Sequence, residues 1–133
     1  MDAFEVNEAH RFRAQSHAVA DARHAALAFA REHAVPDERL DAIALAVSEA
    51  TTNVVVHAYR DRRDPGAFTL GLDVDGTSLL IDVRDDGLGM SPRLDSPGLG
   101  LGLPIIANVT DVLAIAPSDR GGTWLSMRFD LAA

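Results

Sequence analysis

The sequence predicts an α+β fold, a two-layer sandwich in which helices cover one face of a mixed, mainly antiparallel sheet. Three observations lead there. Apolar residues in the first half recur at helical spacing, those in the second half alternate, and hairpin signals at Asp75-Gly76 and 119–122 join successive strands. A chain of 133 residues, 47% hydrophobic, fits one compact domain over 1–133.

The elements follow in order. Residues 3–13 (AFEVNEAHRFR) alternate loosely and read as an edge strand. From Ser16, as N-cap, to His33 a helix presents Val19, Ala22, Ala26, Phe29 and Ala30. Pro36 and Asp37 restart the chain, with acidic residues early in a helix that runs to about Tyr59. Its apolar stripe is Leu40, Ile43, Ala44, Val47, Thr51, Val54 and Ala58. AFTLGLDV (67–74) and TSLLIDVR (77–84) make a hairpin, the second strand being the more buried. A glycine-rich stretch covers 86–102, and a helix follows over Leu103–Val109 with Pro104 in its first turn. VLAIAPS (112–118) and TWLSMRFD (123–130) close the chain as a second hairpin, with Trp124 read as a core residue. The order is β-α-α-β-β-α-β-β.

Composition removes several function classes. There is no cysteine, so disulfides, thiolate metal sites and cysteine nucleophiles are excluded. Net charge is −8 and all twelve basic residues are arginine, which disfavours nucleic acid as the main partner. The missing lysine also removes the phosphate-binding Lys of a P-loop and of a protein-kinase site. No apolar run is long enough to span a bilayer, and the first residues lack the pattern of a signal peptide. The expectation is a cytoplasmic protein with no membrane partner. His10, His17 and His24 fall seven apart, a poor ligand spacing, and read as surface residues.

Three segments carry chemistry. In LAVSEATTNVVVHAY (45–59), Glu49, Asn53 and His57 recur at i, i+4 and i+8 and line one helical stripe. An Asn carbonyl oxygen is a suitable hard ligand for Mg²⁺, and a Glu one turn earlier can orient or deprotonate an attacking hydroxyl. Read alone, the stripe could equally be a solvated polar face. In DDGLGM (85–90) an Asp leaves a buried strand, and Gly87 and Gly89 follow, where a ligand can approach the backbone. The bland reading is an Asp-Gly turn. In SPGLGLGLPII (96–106), Gly98, Gly100 and Gly102 lead into a helix and leave N–H groups to face an anion. A flexible loop would explain the glycines as well.

Taken together and in this order, the three segments resemble the N box and the two glycine boxes of the GHKL (Bergerat-fold) ATPases, which include histidine-kinase catalytic domains and DNA gyrase. The string LAVSEATTNVVVHAY looks most like the anti-sigma-factor serine/threonine kinases, and the resemblance runs from the first strand to GGTWLSMRF (121–129). It implies an ATP- and Mg²⁺-binding regulator that phosphorylates an anti-anti-sigma (STAS-type) protein and sequesters a sigma factor, with a homodimer as one possible state. Residue by residue, it implies Asn53 as metal ligand, Glu49 as general base and His57 near the phosphates. Asp85 would accept from the adenine amino group, Gly87 and Gly89 would admit the base, and Met90 would pack on its ring. Gly98, Gly100 and Gly102 would wrap the phosphates, Leu103 would join the nucleotide site, and Thr123 would support the Asp–adenine network. Only SPRLDSP separates Met90 from Gly98, a short lid whose one cation, Arg93, is either a phosphate contact or a solvated arginine. Two other readings stay open: a nucleotide-gated binding module without phosphoryl transfer, and a detached histidine-kinase-like catalytic domain.

Overall fold

A computed structural model describes residues 7–58, 66–85, 102–117 and 121–131, with His57 and Ala58 described by their backbone alone. In chain order the elements are β1 (Glu8–Arg13), α1 (Ser16–Glu32), α2 (Asp37–Asn53), a π-helical turn (Val54–Ala58), β2 (Ala67–Asp75), β3 (Ser78–Asp85), α3 (Gly102–Val109), β4 (Val112–Pro117) and β5 (Thr123–Asp130). The strands form one sheet in the order β1-β2-β3-β5-β4, and every described pairing is antiparallel.

The period-2 alternation of the strands decides which face is covered. Phe68, Leu70 and Leu72 of β2 are buried, as are Leu79, Ile81 and Val83 of β3 and Leu125, Met127 and Phe129 of β5. These residues form one cluster with the buried faces of α1 and α2 and with Ile106 of α3. Each such Phe, Leu or Ile contributes roughly 1.5–3 kcal/mol by leaving water. α1 offers Ala18, Ala22, Ala26 and Ala30 at strict i+4 spacing, all buried, so small side chains let it lie close to α2.

Local signals set the helix ends. Ser16 is the first residue of α1 rather than its cap; Gln15 holds the cap position and makes no side-chain capping bond. At the other end, the Val35 N–H donates to the Ala30 carbonyl at 2.9 Å and the Ala34 N–H to Arg31 at 3.2 Å. That is a Schellman turn, with Ala34 in the left-handed region at φ 58° where glycine is usual. α2 begins on Pro36 with Asp37 and Glu38 in its first turn, where the helix dipole favours them.

Two further expectations change. The predicted helix to about Tyr59 is α-helical only to Asn53 and then widens into the π turn; Tyr59 itself lies outside the described residues. Trp124 is not in the core: it faces the uncovered side of the sheet, with the Arg84 guanidinium 5.2 Å from its ring centroid. Its neighbours Thr123 and Leu125 take the covered side, and alternation turns Trp124 the other way.

Candidate functional site

Alternation along β3 carries the covered face one step past Val83, to Asp85, which is 1% exposed. On one side Asp85 is level with Phe68 of β2. On the other, the β3–β5 ladder runs to Arg84↔Trp124, and its next step leads to Thr123 and the Gly121-Gly122 turn. Thr123 is buried too.

Gly122 has φ +78°, and a Cβ built there would lie 2.2 Å from the Asp85 carbonyl oxygen and 2.6 Å from Oδ1. Only glycine lets the two backbones meet this closely. Among the described residues the buried polar side chains are Thr51, Asp85 and Thr123. Thr51 is answered inside α2, where its hydroxyl donates to the Val47 carbonyl at 2.7 Å. The other two stand together at one end of the sheet, on the side facing the helices. A carboxylate is costly to bury, and its retention at such a position is a feature of functional sites.

Glu49 and Asn53 lie one turn apart on α2, both half-buried, on the helix layer that covers the face carrying Asp85. The π turn begins directly after Asn53. Its i→i+5 bonding alters the angular step, so the stripe read from an unbroken α-helix holds for Glu49 and Asn53 but does not extend at the same spacing to His57. Single π turns inside helices occur frequently at functional sites. Gly102 opens α3, as its place before a helix required. Leu103 is half-buried and packs against the core. Gly87, Gly89, Met90, Arg93, Gly98 and Gly100 lie outside the described residues, as does the side chain of His57.

Residues 12–129 match the histidine kinase-like ATPase domain family. The chain belongs to that family. Among its relatives, the anti-sigma F factor of Clostridium novyi (strain NT) is 30% identical over 118 residues, covering 80% of this chain and 82% of that protein. The anti-sigma F factor of Clostridium acetobutylicum is 29% identical over 129 residues, covering 89% of each. Among solved structures, the histidine kinase domain of a blue-light activated histidine kinase from Erythrobacter litoralis superposes with a TM-score of 0.55 at 30% identity. That match covers 72% of this chain and 46% of the kinase chain.

Membership of this ATPase-domain family implies an ATP site. The described part of the domain suits one: a buried carboxylate and a threonine at a glycine-bounded sheet end, under a helix carrying Glu49 and Asn53. Among the described residues no group of three or more His, Asp or Glu side chains could hold a metal by itself. A Mg²⁺ ion that takes most of its ligands from phosphate and water needs little more than one protein oxygen. Among the described residues no helix is long and apolar enough to cross a membrane. Gly122 is the position beside Asp85 that the sequence left unassigned; its signal was the paired glycine ahead of β5.

Proposed function

We propose that this single domain is an ATP-binding, Mg²⁺-dependent anti-sigma regulatory factor with serine/threonine protein kinase activity, acting in the cytoplasm. It sequesters a sigma factor and phosphorylates an anti-anti-sigma antagonist. The observation that carries this reading is the likeness to anti-sigma F factors, which runs over 80–89% of the chain in the relatives named above. The setting of Asp85 supports the nucleotide half of it.

In this reading the Asp85 carboxylate accepts a hydrogen bond from the exocyclic amino group of adenine. Thr123 joins that contact through water, and Gly122 fixes the carboxylate's position. Gly87 and Gly89 admit the base, and Met90 and Leu103 pack beside the nucleotide. Gly98, Gly100 and Gly102 offer backbone N–H groups to the phosphates, with Arg93 and His57 near them. The Asn53 carbonyl oxygen would hold Mg²⁺, whose bound charge offsets that of the phosphates. Glu49 accepts the proton of a partner Ser or Thr hydroxyl as its oxygen bonds to the γ-phosphorus and ADP leaves.

A second reading, a detached histidine-kinase-like catalytic domain, is favoured by the Erythrobacter litoralis likeness. An acid-labile phosphorylated product would select it. The test of the nucleotide site is calorimetry with ATP and GTP on the parent, Asp85→Asn and Asn53→Ala. Asp85→Asn replaces an acceptor by an amide and should cost roughly 1–3 kcal/mol of ATP binding. Asn53→Ala should remove the dependence on Mg²⁺. Equal binding of GTP, or unchanged behaviour in both variants, rejects the assignment.

A further inference from the structure

The face of the sheet turned away from the helices is built as three rows across the strands, read from the pairing register. One row is Arg11, Thr69, Arg84, Trp124 and Ala116. The middle row is Ala9, Gly71, Asp82, Ser126 and Ala114, and the third contains Asp73, Leu80, Arg128 and Val112. Small side chains in the middle row leave a trough between taller neighbours. A groove of about 340 Å³ opens there, lined by Asp73, Leu80, Asp82, Val112, Ala114 and Ser126 among others.

Leu80, Val112 and Ala114 give its lining an apolar part, Asp73 and Asp82 an acidic one, and Arg128 also borders it. Val112 is 42% exposed on this uncovered face. Burial pushes the Asp82 carboxyl above its ordinary value, the Ser126 and Trp124 side chains beside it pull it back, and the nearby Asp73 carboxylate pushes it up again. None of these influences is a cation. The arginines of this face have other engagements: Arg84 lies over the Trp124 ring and the Arg128 Nε donates to Asp130 at 3.1 Å.

We propose that this groove is a docking site for a partner-protein segment that places an arginine or lysine side chain between Asp73 and Asp82, with an apolar neighbour against Leu80 and Val112. Charge complementarity selects the occupant. A guanidinium offsets two carboxylates held in a half-buried setting and can take both as hydrogen-bond acceptors. A second copy of this chain, related by a two-fold axis through the groove, would set Asp82 against its own mate, on a molecule of net charge −8. Nucleic acid is opposed by the same charge. The site lies on the face opposite Asp85 and needs no nucleotide, so it stands or falls apart from the ATP reading.

The test uses the full chain without nucleotide and the capped pentapeptide Ala-Leu-Arg-Leu-Ala, followed by amide chemical shifts. The control is the same peptide with citrulline, the neutral isostere of arginine. Saturable shifts at Gly71, Asp82, Ala114 and Ser126 with the arginine peptide support the site. They should weaken by about tenfold or more with citrulline, and likewise in Asp82→Asn and Asp73→Asn, the worth of one charge-assisted hydrogen bond. The asparagine variants keep side-chain volume, and their cooperative melting and remaining amide shifts certify the fold. Equal binding of citrulline overturns the proposal, as do shifts confined to α2. So does concentration-dependent self-association that Asp82→Asn abolishes, which would make the face a contact between copies.

Discussion

Gly122 lies so close to Asp85 that a methyl group on it would overlap the aspartate's carbonyl oxygen and carboxylate. The turn into β5 and the end of β3 are therefore one unit, and the position of the buried carboxylate depends on a residue 37 positions later in the chain.

Gly122→Ala should consequently cost both stability and ligand. The left-handed backbone alone penalises a non-glycine residue by roughly 1–2 kcal/mol, and the overlap with backbone at 2.2 Å adds to it. We expect a lowered melting temperature and loss of the stabilisation that Mg-ATP gives the parent. Gly76→Ala is the control, since it shares the left-handed backbone at φ +58° but meets nothing within 4 Å. It should lose stability and keep the nucleotide response. A parent-like Gly122→Ala would show that the contact does not hold Asp85.

Ala34 offers the opposite change. It occupies the left-handed position of a complete Schellman turn between α1 and α2, where glycine carries no Cβ penalty. Ala34→Gly should stabilise the domain by up to about 1 kcal/mol, the left-handed penalty less the entropy that glycine adds to the unfolded chain. Urea denaturation with an unchanged m-value measures it. A loss of stability would mean that the unfolded-chain term dominates.

Much of this architecture was legible in the sequence. β5 spans the predicted Thr123–Asp130, and the Asp75-Gly76 signal lies at the β2–β3 hairpin, because alternation and turn chemistry are local. What escaped needed long-range information. Alternation sorts β5 into two faces without saying which is covered, and the reading of Trp124 as a core residue chose the wrong one. The buried stripe of α2 includes Ala46 and Ala50, whose small side chains give little periodic signal. The π turn over VVVHA has no Gly or Pro to mark it. Asp85 and Thr123 were singled out as candidates through motifs, whereas the close approach of Gly122 to Asp85 arises only when β3 and β5 pair.

Asp82 carries a pH dependence whose sign follows from its raised pKa. In the window between the ordinary carboxyl value of 3.8 and the higher folded value, the folded protein binds more protons than the unfolded chain, so this residue makes stability fall as pH rises. At neutral pH the ionised carboxylate is held at a desolvation cost, with Asp73 opposing it and Arg128 the exposed cation nearby on β5. Asp82→Asn, which keeps a side-chain oxygen beside Ser126, should melt higher than the parent at pH 7. That advantage should shrink as pH falls below the folded value. Thermal melts across pH 3–8 check it, and an advantage independent of pH would assign the gain to packing.

The last prediction separates a kinase from a passive switch, and it rests on Glu49. Glu49 lies one α-helical turn before Asn53, ahead of the π turn, so its position relative to Asn53 does not depend on the irregular backbone that follows. Phosphoryl transfer is mainly positioning and electrostatics, so a base that meets the acceptor hydroxyl contributes to rate and little to nucleotide affinity. General-base groups supply about 10²–10⁴-fold. Glu49→Ala should therefore keep ATP affinity within a few-fold while slowing transfer to a Ser/Thr partner by at least about 100-fold. The short SPRLDSP lid bears on the same measurement, because a γ-phosphate that is poorly covered transfers slowly even with the base in place. Affinity capture with and without Mg-ATP supplies the partner, and single-turnover transfer of labelled γ-phosphate measures the rate. If the parent holds its partner under saturating Mg-ATP and transfers nothing, Glu49 has no base function and nucleotide acts by gating the complex. If transfer is fast and Glu49→Ala leaves it unchanged, the proton leaves by another group, and Glu49 is only a polar residue on α2.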